Sequence, residues 1–251
     1  MLIQATPPAI QDAAQALRRG ELVAFPTETV YGLGADACNG MAVAKIYALK
    51  NRPLHNPLII HVASVEDAEK IGQFDSRAQT LASSLWPGPL TLIVPKRNGN
   101  GIAANATAGL DTVALRIPAH PVAAALIQSA GTPLAAPSAN PSGTLSPTRP
   151  EHVARHLAAQ GLIVLSGGAT TIGLESTVLD LTTHPARILR PGAIGLDELE
   201  PLIGPVQMAD GTEAIKAPGQ LKRHYATRTP LRLNAVDVKH GEAFLGFGNV
   251  G

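Results

Sequence analysis

Short apolar runs alternate with amphipathic stretches along most of the chain. The runs predicted to be strands are ELVAF, LIIHVA, LTLIVP, TVALRIP, PLAAP, LIVLSG and STVLDL. Between them, stretches such as SVEDAEKI, HPVAAALIQS and PEHVARHLAA carry apolar residues at helical spacing. Ala9 to Arg19 has the same spacing, and Gly20 is placed to end that helix. The alternation predicts an α/β domain built on a twisted sheet, with parallel and mixed strand pairing both open.

The composition is that of a globular protein without a strong charge bias. Hydrophobic residues make up 45% of the 251 residues, which supplies ample material for a core. The formal net charge of +1 argues against the broad basic surface of a dedicated nucleic-acid-binding protein, although a local basic cleft remains open. Cys38 is the only cysteine, which excludes an intramolecular disulfide and a zinc site of several cysteines. With no secretory signal and no bilayer-length apolar run, we expect a soluble cytoplasmic protein.

A change in composition near residue 205 predicts three parts. Residues 1–204 carry the alternating pattern, whereas residues 205–230 are polar and rich in Gly, Pro and Thr, which is typical of a linker. Residues 231–251 are too few to bury a core of their own. We expect them to be the opening strands of a second domain that stops early, or a tail that packs on the first domain.

Two polar segments are candidates for a binding site. FPTETVYGLGADA, residues 25–37, combines hydroxyls with glycines but lacks the spacing of the known phosphate loops. Its two interpretations are a ligand loop and a strand-to-helix turn whose threonines cap the helix. APSANPSGTLSPT, residues 136–148, is rich in hydroxyls and prolines. That composition is typical of a pre-organised anion site and also of a surface loop.

A third segment, KNRPLHNPLIIHV, places two cations beside a predicted strand. Lys50 and Arg52 precede Pro53, which biases Arg52 to an extended backbone. In extended geometry both side chains point to one side and can bind one anion, for which phosphate is the natural candidate. The alternative is a solvated basic turn before a core strand. Arg116 interrupts an apolar run, so its charge must be paired or must face a cleft.

These segments together resemble the YrdC/TsaC family of threonylcarbamoyl-AMP synthases. The resemblance covers roughly residues 8–204 and rests on motifs in the family's order: FPTETVYGLGADA, KxRP with NPL and IHV, WPGPLTLI, APSAN with SG and SPT, ESTV and RPG. APGQLKRHYATRTPL, residues 217–231, is similar to the linker of the long, two-domain members. Thr227 departs from the family's usual HYAP.

The resemblance implies a fold and a reaction. The fold is a large twisted mixed β-sheet flanked by helices around a concave cavity, the YrdC-like or DHBP-synthase-like fold. Residues 1–204 would be the catalytic domain, 205–230 a linker that closes over the site as a lid, and 231–251 the start of an incomplete Rossmann-like domain. The enzyme, a nucleotidyltransferase, would join L-threonine, bicarbonate and ATP into L-threonylcarbamoyladenylate and pyrophosphate, the first step of N6-threonylcarbamoyladenosine formation next to the anticodon of tRNAs.

The family's functional positions carry over residue by residue. The positions around L-threonine are Thr29, His61, Arg116, Ala136 and Ser176. The positions around ATP or the adenylate are Arg52, Asn56, Thr112, Ser138, Ser146, Arg190, His224 and Tyr225. Lys50 and Arg52 are implied as the catalytic pair of cations, which neutralise phosphate charge. Mg²⁺ is expected to accompany the nucleotide, held by phosphate oxygens and water rather than by a protein cage.

The implied partners are the small-molecule substrates and the downstream proteins that transfer threonylcarbamoyl, with tRNA contacted indirectly or weakly and no membrane. One rival function is a non-catalytic module that binds double-stranded RNA on a basic concave face, against which the near-neutral charge counts. Another is the carbamoyltransferase of a larger hydrogenase-maturation protein. That class brings acylphosphatase and zinc-finger segments, and a single cysteine excludes the finger.

Overall fold

The computed structural model describes residues 1–157, 161–211, 215–218 and 229–245. The strands are β1 (Leu2–Gln4), β2 (Val23–Phe25), β3 (Gly32–Asp36), β4 (Ile59–His61), β5 (Leu90–Pro95), β6 (Thr112–Arg116), β7 (Leu134–Ala135), β8 (Ile163–Ser166), β9 (Thr177–Asp180), β10 (Ala186–Arg190) and β11 (Val206–Met208). The α-helices are α1 (Pro7–Arg18), α2 (Gly40–Lys50), α3 (Val65–Ile71), α4 (Ser76–Leu85), α5 (Pro121–Ala130), α6 (Pro150–Leu157) and α7 (Leu196–Ile203). A short 3₁₀ helix spans Ala104–Thr107.

These strands form one mixed sheet in the order β1-β8-β2-β3-β7-β4-β6-β5-β9-β10-β11. β8 pairs in parallel with β1 and β2, and the pairs β4–β6, β5–β9 and β10–β11 are also parallel. The pairs β2–β3, β3–β7, β4–β7, β5–β6 and β9–β10 are antiparallel. The predicted mixed α/β fold is therefore confirmed, and the question of parallel against mixed pairing is answered as mixed.

Helices cover both faces of the sheet, because successive strand residues point to opposite sides. Phe25 of β2 joins the core formed with α1 and α5, whereas the preceding Ala24 points into the larger core under α2, α3, α4 and α7. Ile59 and Ile60 of β4 divide in the same way, with Ile60 in the larger core. The face that carries Ile59 holds only a small apolar cluster over β4, β5, β6, β9 and β10. That face is the floor of the candidate site.

Helix α1 begins and ends at the residue types that its sequence predicts. The Thr6 side chain accepts from the backbone N–H of Ala9 at the N-terminus. At the other end Arg19 is the C-cap and Gly20 follows with φ of 76°, a conformation that favours glycine. The predicted helix over Ala9 to Arg19 is thus confirmed, with an N-terminus two residues earlier at Pro7.

The sheet continues past residue 204, because β11 (Val206–Met208) pairs with β10. The division of the chain into a catalytic domain, a linker and a second domain stays a prediction. Residues 229–245, the described part of the C-terminal segment, contain neither helix nor strand. In the part of the chain that the structure describes, no helix combines the length and apolarity needed to cross a membrane.

Candidate active site

An open cleft of about 470 Å³ lies over the sheet face that carries Ile59. Its lining comes from the β2–β3 connection, the start of β3, the segment before β4, β4, β6, the 136–138 segment, the two residues before β9, β10 and Pro218. The lining residues are Thr27, Thr29, Val30, Gly32, Arg52, Ile59, His61, Arg116, Ala136, Pro137, Ser138, Glu175, Ser176, Arg190 and Pro218. Segments that are far apart in the sequence therefore meet at one place on the sheet.

The cleft gathers most of the predicted site residues. All five predicted around L-threonine line it, and three of those predicted around the nucleotide do so as well: Thr29, His61, Arg116, Ala136, Ser176, Arg52, Ser138 and Arg190. Lys50, Asn56, Thr112 and Ser146 lie outside this lining. His224 and Tyr225 fall in residues 219–228, outside the described residues. The roles of all these residues stay predictions, but the proximity of the first eight is an observation.

Strand register places Arg116 beside His61, since β6 runs parallel to β4 with these two residues opposite each other. The buried guanidinium donates from Nη2 to Glu28 Oε1 at 2.6 Å and to Thr29 Oγ1 at 3.0 Å. Its Nε donates to Gly88 O at 3.2 Å. Burial lowers the pKa of Arg116, and the paired Glu28 favours its charged form. The charge inside this apolar run is therefore paired and also lines the cleft.

His61 is an uncharged neighbour of that arginine. Burial, and then the charge of Arg116, lowers the pKa of His61 to about 3, so the imidazole is neutral at neutral pH. The ring lies edge to face with Phe25, with centroids 6.4 Å apart, and its Nδ1 is 3.3 Å from Ile59 O. This wall of the cleft therefore has Arg116 as its cation and His61 as a polar neutral surface.

The β2–β3 connection is a hydroxyl-lined turn. Thr27 Oγ1 and Thr29 Oγ1 lie 2.8 Å apart, and both residues line the cleft. The chain then enters β3, which is antiparallel to β2. The strand-to-helix interpretation is therefore wrong, because the threonines precede a strand and cap no helix. A glycine is needed at position 34, where a Cβ would lie 2.7 Å from the Phe25 ring. The ligand-loop interpretation fits this placement.

Arg190 has an arrangement similar to that of Arg116. Its Nη1 donates to Glu175 Oε2 at 2.6 Å, and its Nη2 donates to Ser176 Oγ at 3.0 Å and to Ser176 O at 2.9 Å. The other oxygen of Glu175 accepts from Ser146 Oγ at 2.7 Å. The guanidinium therefore fixes Ser176 directly and Ser146 through a carboxylate, which joins the two residues before β9, β10 and the 136–148 segment.

Arg52 is held by backbone carbonyl groups. Its Nε donates to Asn56 O at 3.1 Å and its Nη2 to Pro57 O at 2.8 Å. Burial lowers the pKa of Arg52 to about 10, so the guanidinium keeps its charge at neutral pH. Carbonyl groups carry no net charge. The positive charge of Arg52 therefore adds to the attraction of the cleft for an anion.

Lys50 does not share an extended segment with Arg52. It is the last residue of α2, and Asn51 follows as a left-handed C-cap with φ of 49°. The predicted geometry, in which both side chains point to one side of an extended chain, is wrong because the helix continues up to the lysine. The buried ammonium donates to Ser138 O at 2.5 Å and to Asn140 O. Lys50 therefore holds the backbone of the 136–148 segment.

The burial of Lys50 predicts a pH dependence of stability. Burial, and then the charge of Arg52, lowers the pKa of Lys50 from 10.5 to about 7. Between these values the unfolded chain binds a proton that the folded chain has released, so the free energy of unfolding rises with pH. We expect Lys50→Met to remove this contribution. In urea unfolding, the stability of the wild type relative to this variant should therefore increase as the pH rises through 7 to 9.

The exposed Lys70 provides a matched control for this titration. Its pKa is raised by hydrogen bonds to Glu66 and Asp67, so Lys70→Met removes a lysine that does not titrate in the same pH window. The stability difference between the wild type and this variant should be flat with pH. A flat difference for Lys50→Met as well would contradict the titration assigned to the buried ammonium.

Two predicted nucleotide residues lie toward the other end of the strands. Thr112, Ala114 and Arg116 share one face of β6, because side chains alternate along a strand. At about 3.3 Å per residue, Thr112 lies roughly 13 Å from Arg116. Thr112 Oγ1 and Asn56 Oδ1 are buried and have no hydrogen-bond partner in the described structure. Buried polar atoms normally have a partner, and the described residues supply none for these two oxygens.

Four residues at or beside the cleft were not predicted as site residues from the sequence. Thr27, Glu28, Thr91 and Glu175 all hydrogen-bond to residues of the cleft lining, Glu175 through Arg190. The glutamates stand in the quoted motifs, but Glu28 meets an arginine 88 positions away, which no local pattern reveals. The signal that pointed to such a partner was Arg116 itself, because a buried charge needs an opposite one.

The chemistry of the cleft suits an anionic ligand. Its lining contains three arginines and a single carboxylate, that of Glu175. Among the described residues, no group of three or more His, Cys, Asp or Glu side chains could hold a metal ion. Guanidinium groups with hydroxyls beside them bind phosphate and carboxylate oxygens well.

A family model and the curated relatives of this chain point to the same protein family. The family model Sua5_yciO_yrdC, described as telomere recombination, matches residues 15–192. The chain is 48% identical over 231 residues to the threonylcarbamoyl-AMP synthase of Bacillus subtilis (strain 168), with 90% of this chain and 66% of that relative covered. It is also 48% identical over 223 residues to the enzyme of the same name from Pyrococcus abyssi, with 86% and 65% covered. The chain thus spans slightly less than two thirds of these curated relatives.

Solved structures agree with the sequence comparison. The crystal structure of P. abyssi Sua5 complexed with L-threonine matches with a TM-score of 0.87 and 46% identity, covering 90% of this chain and 69% of that chain. E. coli YciO matches with a TM-score of 0.69 at 22% identity, covering 77% of this chain and 94% of that chain, which supports the fold alone. The family model covers well over half of the sequence, and the chain belongs to the Sua5/YciO/YrdC family.

Proposed function

We propose that this chain is a nucleotidyltransferase that makes L-threonylcarbamoyladenylate from L-threonine, bicarbonate and ATP. The observation that carries the proposal is the single cleft in which all five residues predicted around L-threonine meet. Two further observations support it. The curated relatives at 48% identity are named threonylcarbamoyl-AMP synthases, and a similar solved protein is complexed with L-threonine.

The amino acid would occupy the end of the cleft at Arg116. In this proposal the guanidinium binds the carboxylate through Nη1, because its Nε and Nη2 donors already have acceptors in the protein. The neutral ring of His61 lies beside it and adds no charge that would repel the substrate's ammonium group. The hydroxyls of Thr29 and Ser176 and the backbone at Ala136 orient the rest of the molecule.

The nucleotide would extend from this end along β6 toward Thr112. The separation of roughly 13 Å between Arg116 and Thr112 suits an amino acid joined to an adenylate. Arg52 and Arg190 neutralise phosphate charge, and the unpartnered Asn56 Oδ1 accepts a hydrogen bond from the ligand. Ser138 and Ser146 supply hydroxyls, and Lys50 acts by holding the Ser138 backbone.

The proposed reaction needs no covalent intermediate on the protein. The neutral amine of threonine attacks the carbon of bicarbonate, water leaves, and a carbamate forms. A carbamate oxygen then attacks the α-phosphorus of ATP, and the bond to the pyrophosphate oxygen breaks. The protein aligns the reactants, excludes water and stabilises the charge that develops on the phosphate oxygens.

Mg²⁺ would reach the site bound to the triphosphate. The carboxylate that lines the cleft, Glu175, is already hydrogen-bonded to Arg190 and Ser146, so it is a poor ligand for an ion held by the protein. Phosphate oxygens and water supply ligands that Mg²⁺ prefers. We therefore assign no step of the reaction to a metal site of this chain.

The remaining proposals concern the lid, the compartment and the partners. His224 and Tyr225 would close over the nucleotide and protect a labile adenylate from water. A solved variant of P. abyssi Sua5 replaces a histidine and a tyrosine with alanine, which makes such a pair a reasonable target. We place the chain in the cytoplasm, where downstream proteins transfer the threonylcarbamoyl group to tRNA.

Arg52→Ala provides the direct test of the proposed function. The purified chain is incubated with ATP, Mg²⁺, bicarbonate and L-threonine, while pyrophosphate release and the adenylate mass are followed. We expect threonine-dependent product from the wild type and a loss of roughly 100- to 1,000-fold in rate for Arg52→Ala, because a cation at the phosphates stabilises the transition state. No binding of either ATP or L-threonine by the wild type would refute the proposal.

Arg97→Ala is the matched control for this test. Arg97 also donates to two backbone carbonyl groups, those of Glu69 at 2.6 Å and Gly72 at 3.1 Å, but it lies outside the cleft lining. Its loss should leave the rate close to that of the wild type. An equal loss of rate in both variants would mean that Arg52 acts through general stability.

The rival function in double-stranded RNA binding is not favoured, because the similar curated relatives are named as synthases. It would require salt-dependent RNA binding without threonine-dependent pyrophosphate release. The same assay therefore separates the two functions.

A further inference from the structure

Glu28 is a buried carboxylate that the proposed reaction does not use. Its side chain is 9% exposed, and it does not line the cleft. Oε1 accepts from Arg116 Nη2 at 2.6 Å, and Oε2 accepts from the backbone N–H of Ala119 at 3.1 Å. Both oxygens therefore have partners, and both partners belong to one piece of chain, the end of β6 and the turn that follows it.

The backbone of Glu28 is fixed as firmly as its side chain. Its carbonyl oxygen accepts from the N–H of Ile172 at 2.9 Å and from Thr171 Oγ1 at 3.3 Å. The carboxylate is thus held from the β2–β3 connection and the 171–172 segment, and in turn it holds β6. A carboxylate anchored at both ends restricts the orientation of the guanidinium bound to it.

Arg116 depends on these contacts for its orientation. Nε is fixed by Gly88 O and both hydrogens of Nη2 by Glu28 and Thr29, so the plane of the guanidinium is set by two segments, the one before β5 and the β2–β3 connection. Among the described residues Nη1 of Arg116 has no acceptor, and the direction of its N–H groups follows from the guanidinium plane. A small rotation of Arg116 would therefore weaken recognition of a carboxylate while leaving the charge in place.

We propose that Glu28 is a positioning residue, which aims Arg116 at the carboxylate of the amino-acid substrate. This inference rests on the proposed function, in which that substrate is L-threonine. Glu28 acts through Arg116 and Ala119 and touches no reacting atom. It therefore sets selectivity for a free carboxylate rather than the rate of adenylation.

Glu28→Gln tests the inference with little change in shape. Glutamine has one acceptor oxygen where Glu28 uses two, so its NH₂ group must face either Arg116 or Ala119, both of which donate. The affinities for L-threonine and for L-threoninamide, which lacks the carboxylate, are measured by calorimetry. We expect the wild type to prefer the acid by roughly 100-fold, and Glu28→Gln to reduce this preference about tenfold or more.

The ratio of the two affinities separates positioning from a general structural role. Partial unfolding lowers the affinity for both ligands by the same factor and leaves their ratio unchanged. A change in the orientation of the Arg116 guanidinium lowers the affinity for L-threonine but not that for L-threoninamide. Glu28→Asp, which keeps the charge but is too short to reach both partners, should give an intermediate ratio and supplies a second variant if Glu28→Gln does not fold.

Two matched variants complete the design. Glu175→Gln alters the glutamate that does line the cleft and that pairs with Arg190 at the same distance of 2.6 Å. It should weaken the binding of ATP while leaving the acid-to-amide ratio unchanged. Glu66→Gln removes a carboxylate whose side chain is 80% exposed and should leave the affinities for ATP and L-threonine unchanged.

The outcomes distinguish this inference from the proposed function. A wild type that binds L-threonine, together with Glu28→Gln and Glu28→Asp variants that keep the full preference for the acid, overturns the role of Glu28 alone. A wild type that binds neither L-threonine nor L-threoninamide overturns both the role of Glu28 and the proposed function. A reduced ratio in Glu28→Gln, restored in part by Glu28→Asp, is the expected result.

Discussion

Arg116→Ala is expected to abolish recognition of L-threonine and to destabilise the fold. The variant removes the guanidinium proposed to bind the carboxylate of the substrate. The affinity for L-threonine should therefore fall by roughly 100- to 1,000-fold. It also leaves the carboxylate of Glu28 buried without the guanidinium that lies 2.6 Å from Oε1 in the wild type. Breaking a buried pair in this way costs about 3–5 kcal/mol in the free energy of unfolding. Calorimetry with L-threonine and chemical unfolding measure the two effects.

A double variant separates the two effects of this substitution. Arg116→Met combined with Glu28→Met removes both charges, so the penalty for an unpaired carboxylate disappears and much of the stability should return. Binding of L-threonine should stay lost, because no cation remains at that wall. Recovery of L-threonine binding in the double variant would contradict the role proposed for Arg116.

Arg77→Ala is the control outside the cleft. Arg77 also pairs with an acidic residue, Asp75, at 2.9 Å, but that carboxylate is 48% exposed. Such a partly exposed pair contributes about 1 kcal/mol or less. The variant also loses hydrogen bonds to Leu181 O and Thr183 O, but it should keep its affinity for L-threonine.

Gly192→Ala is expected to disrupt the site without touching any polar side chain. A Cβ at this position would lie 2.3 Å from Thr177 N and 2.6 Å from Glu175 O, both of which are backbone atoms. Backbone of a paired strand cannot move aside as a side chain can, so the change should cost at least about 3 kcal/mol. The displaced 175–177 segment includes Ser176, and binding of both ATP and L-threonine should therefore weaken.

Gly40→Ala is the matched substitution at a permissive place. Gly40 begins α2, and an added Cβ would meet nothing closer than 3.7 Å. Alanine favours the helix over glycine by about 0.5–1 kcal/mol, so this variant should be as stable as the wild type or more so in thermal unfolding. If Gly192→Ala proved equally harmless, the close packing of the RPG motif against β9 would not be a constraint.

The elements that the sequence predicts well are those with a strong period. LTLIVP becomes β5 (Leu90–Pro95), STVLDL contains β9 (Thr177–Asp180), and HPVAAALIQS covers all but the last residue of α5 (Pro121–Ala130). Each has apolar residues at the spacing of its own element, so local pattern and tertiary burial agree. The order of the family motifs then led to the fold and to the eight residues that meet in the cleft.

The elements without a period could not be predicted in this way. Helix α2, GMAVAKIYALK, is apolar on nearly every side, so helical periodicity is absent although Ala42, Ile46 and Tyr47 are buried. Strand β3, GLGAD, contains two glycines, which strands usually disfavour, but Gly34 accommodates the Phe25 ring. In both cases long-range packing decides the structure.

The site residues also divide into those that local motifs predict and those that depend on contacts between distant segments. Thr29, Arg116 and Ser176 were predicted from motifs, whereas the partner of Arg116 was not, because pairing between distant segments depends on strand order. Lys50 was misplaced for a local reason. The helix extends to the lysine, and the left-handed Asn51 rather than the later proline ends it.

The way in which the cleft is assembled couples its occupancy to the integrity of the whole sheet. Its lining comes from β3, β4, β6, β10 and several connecting segments, so no subset of strands that forms alone would contain the site. A ligand that binds only the complete arrangement stabilises it by mass action, by about 2.7 kcal/mol at 100 times its dissociation constant. Substrate concentration in the cell would therefore act on the lifetime of the folded protein as well as on its turnover.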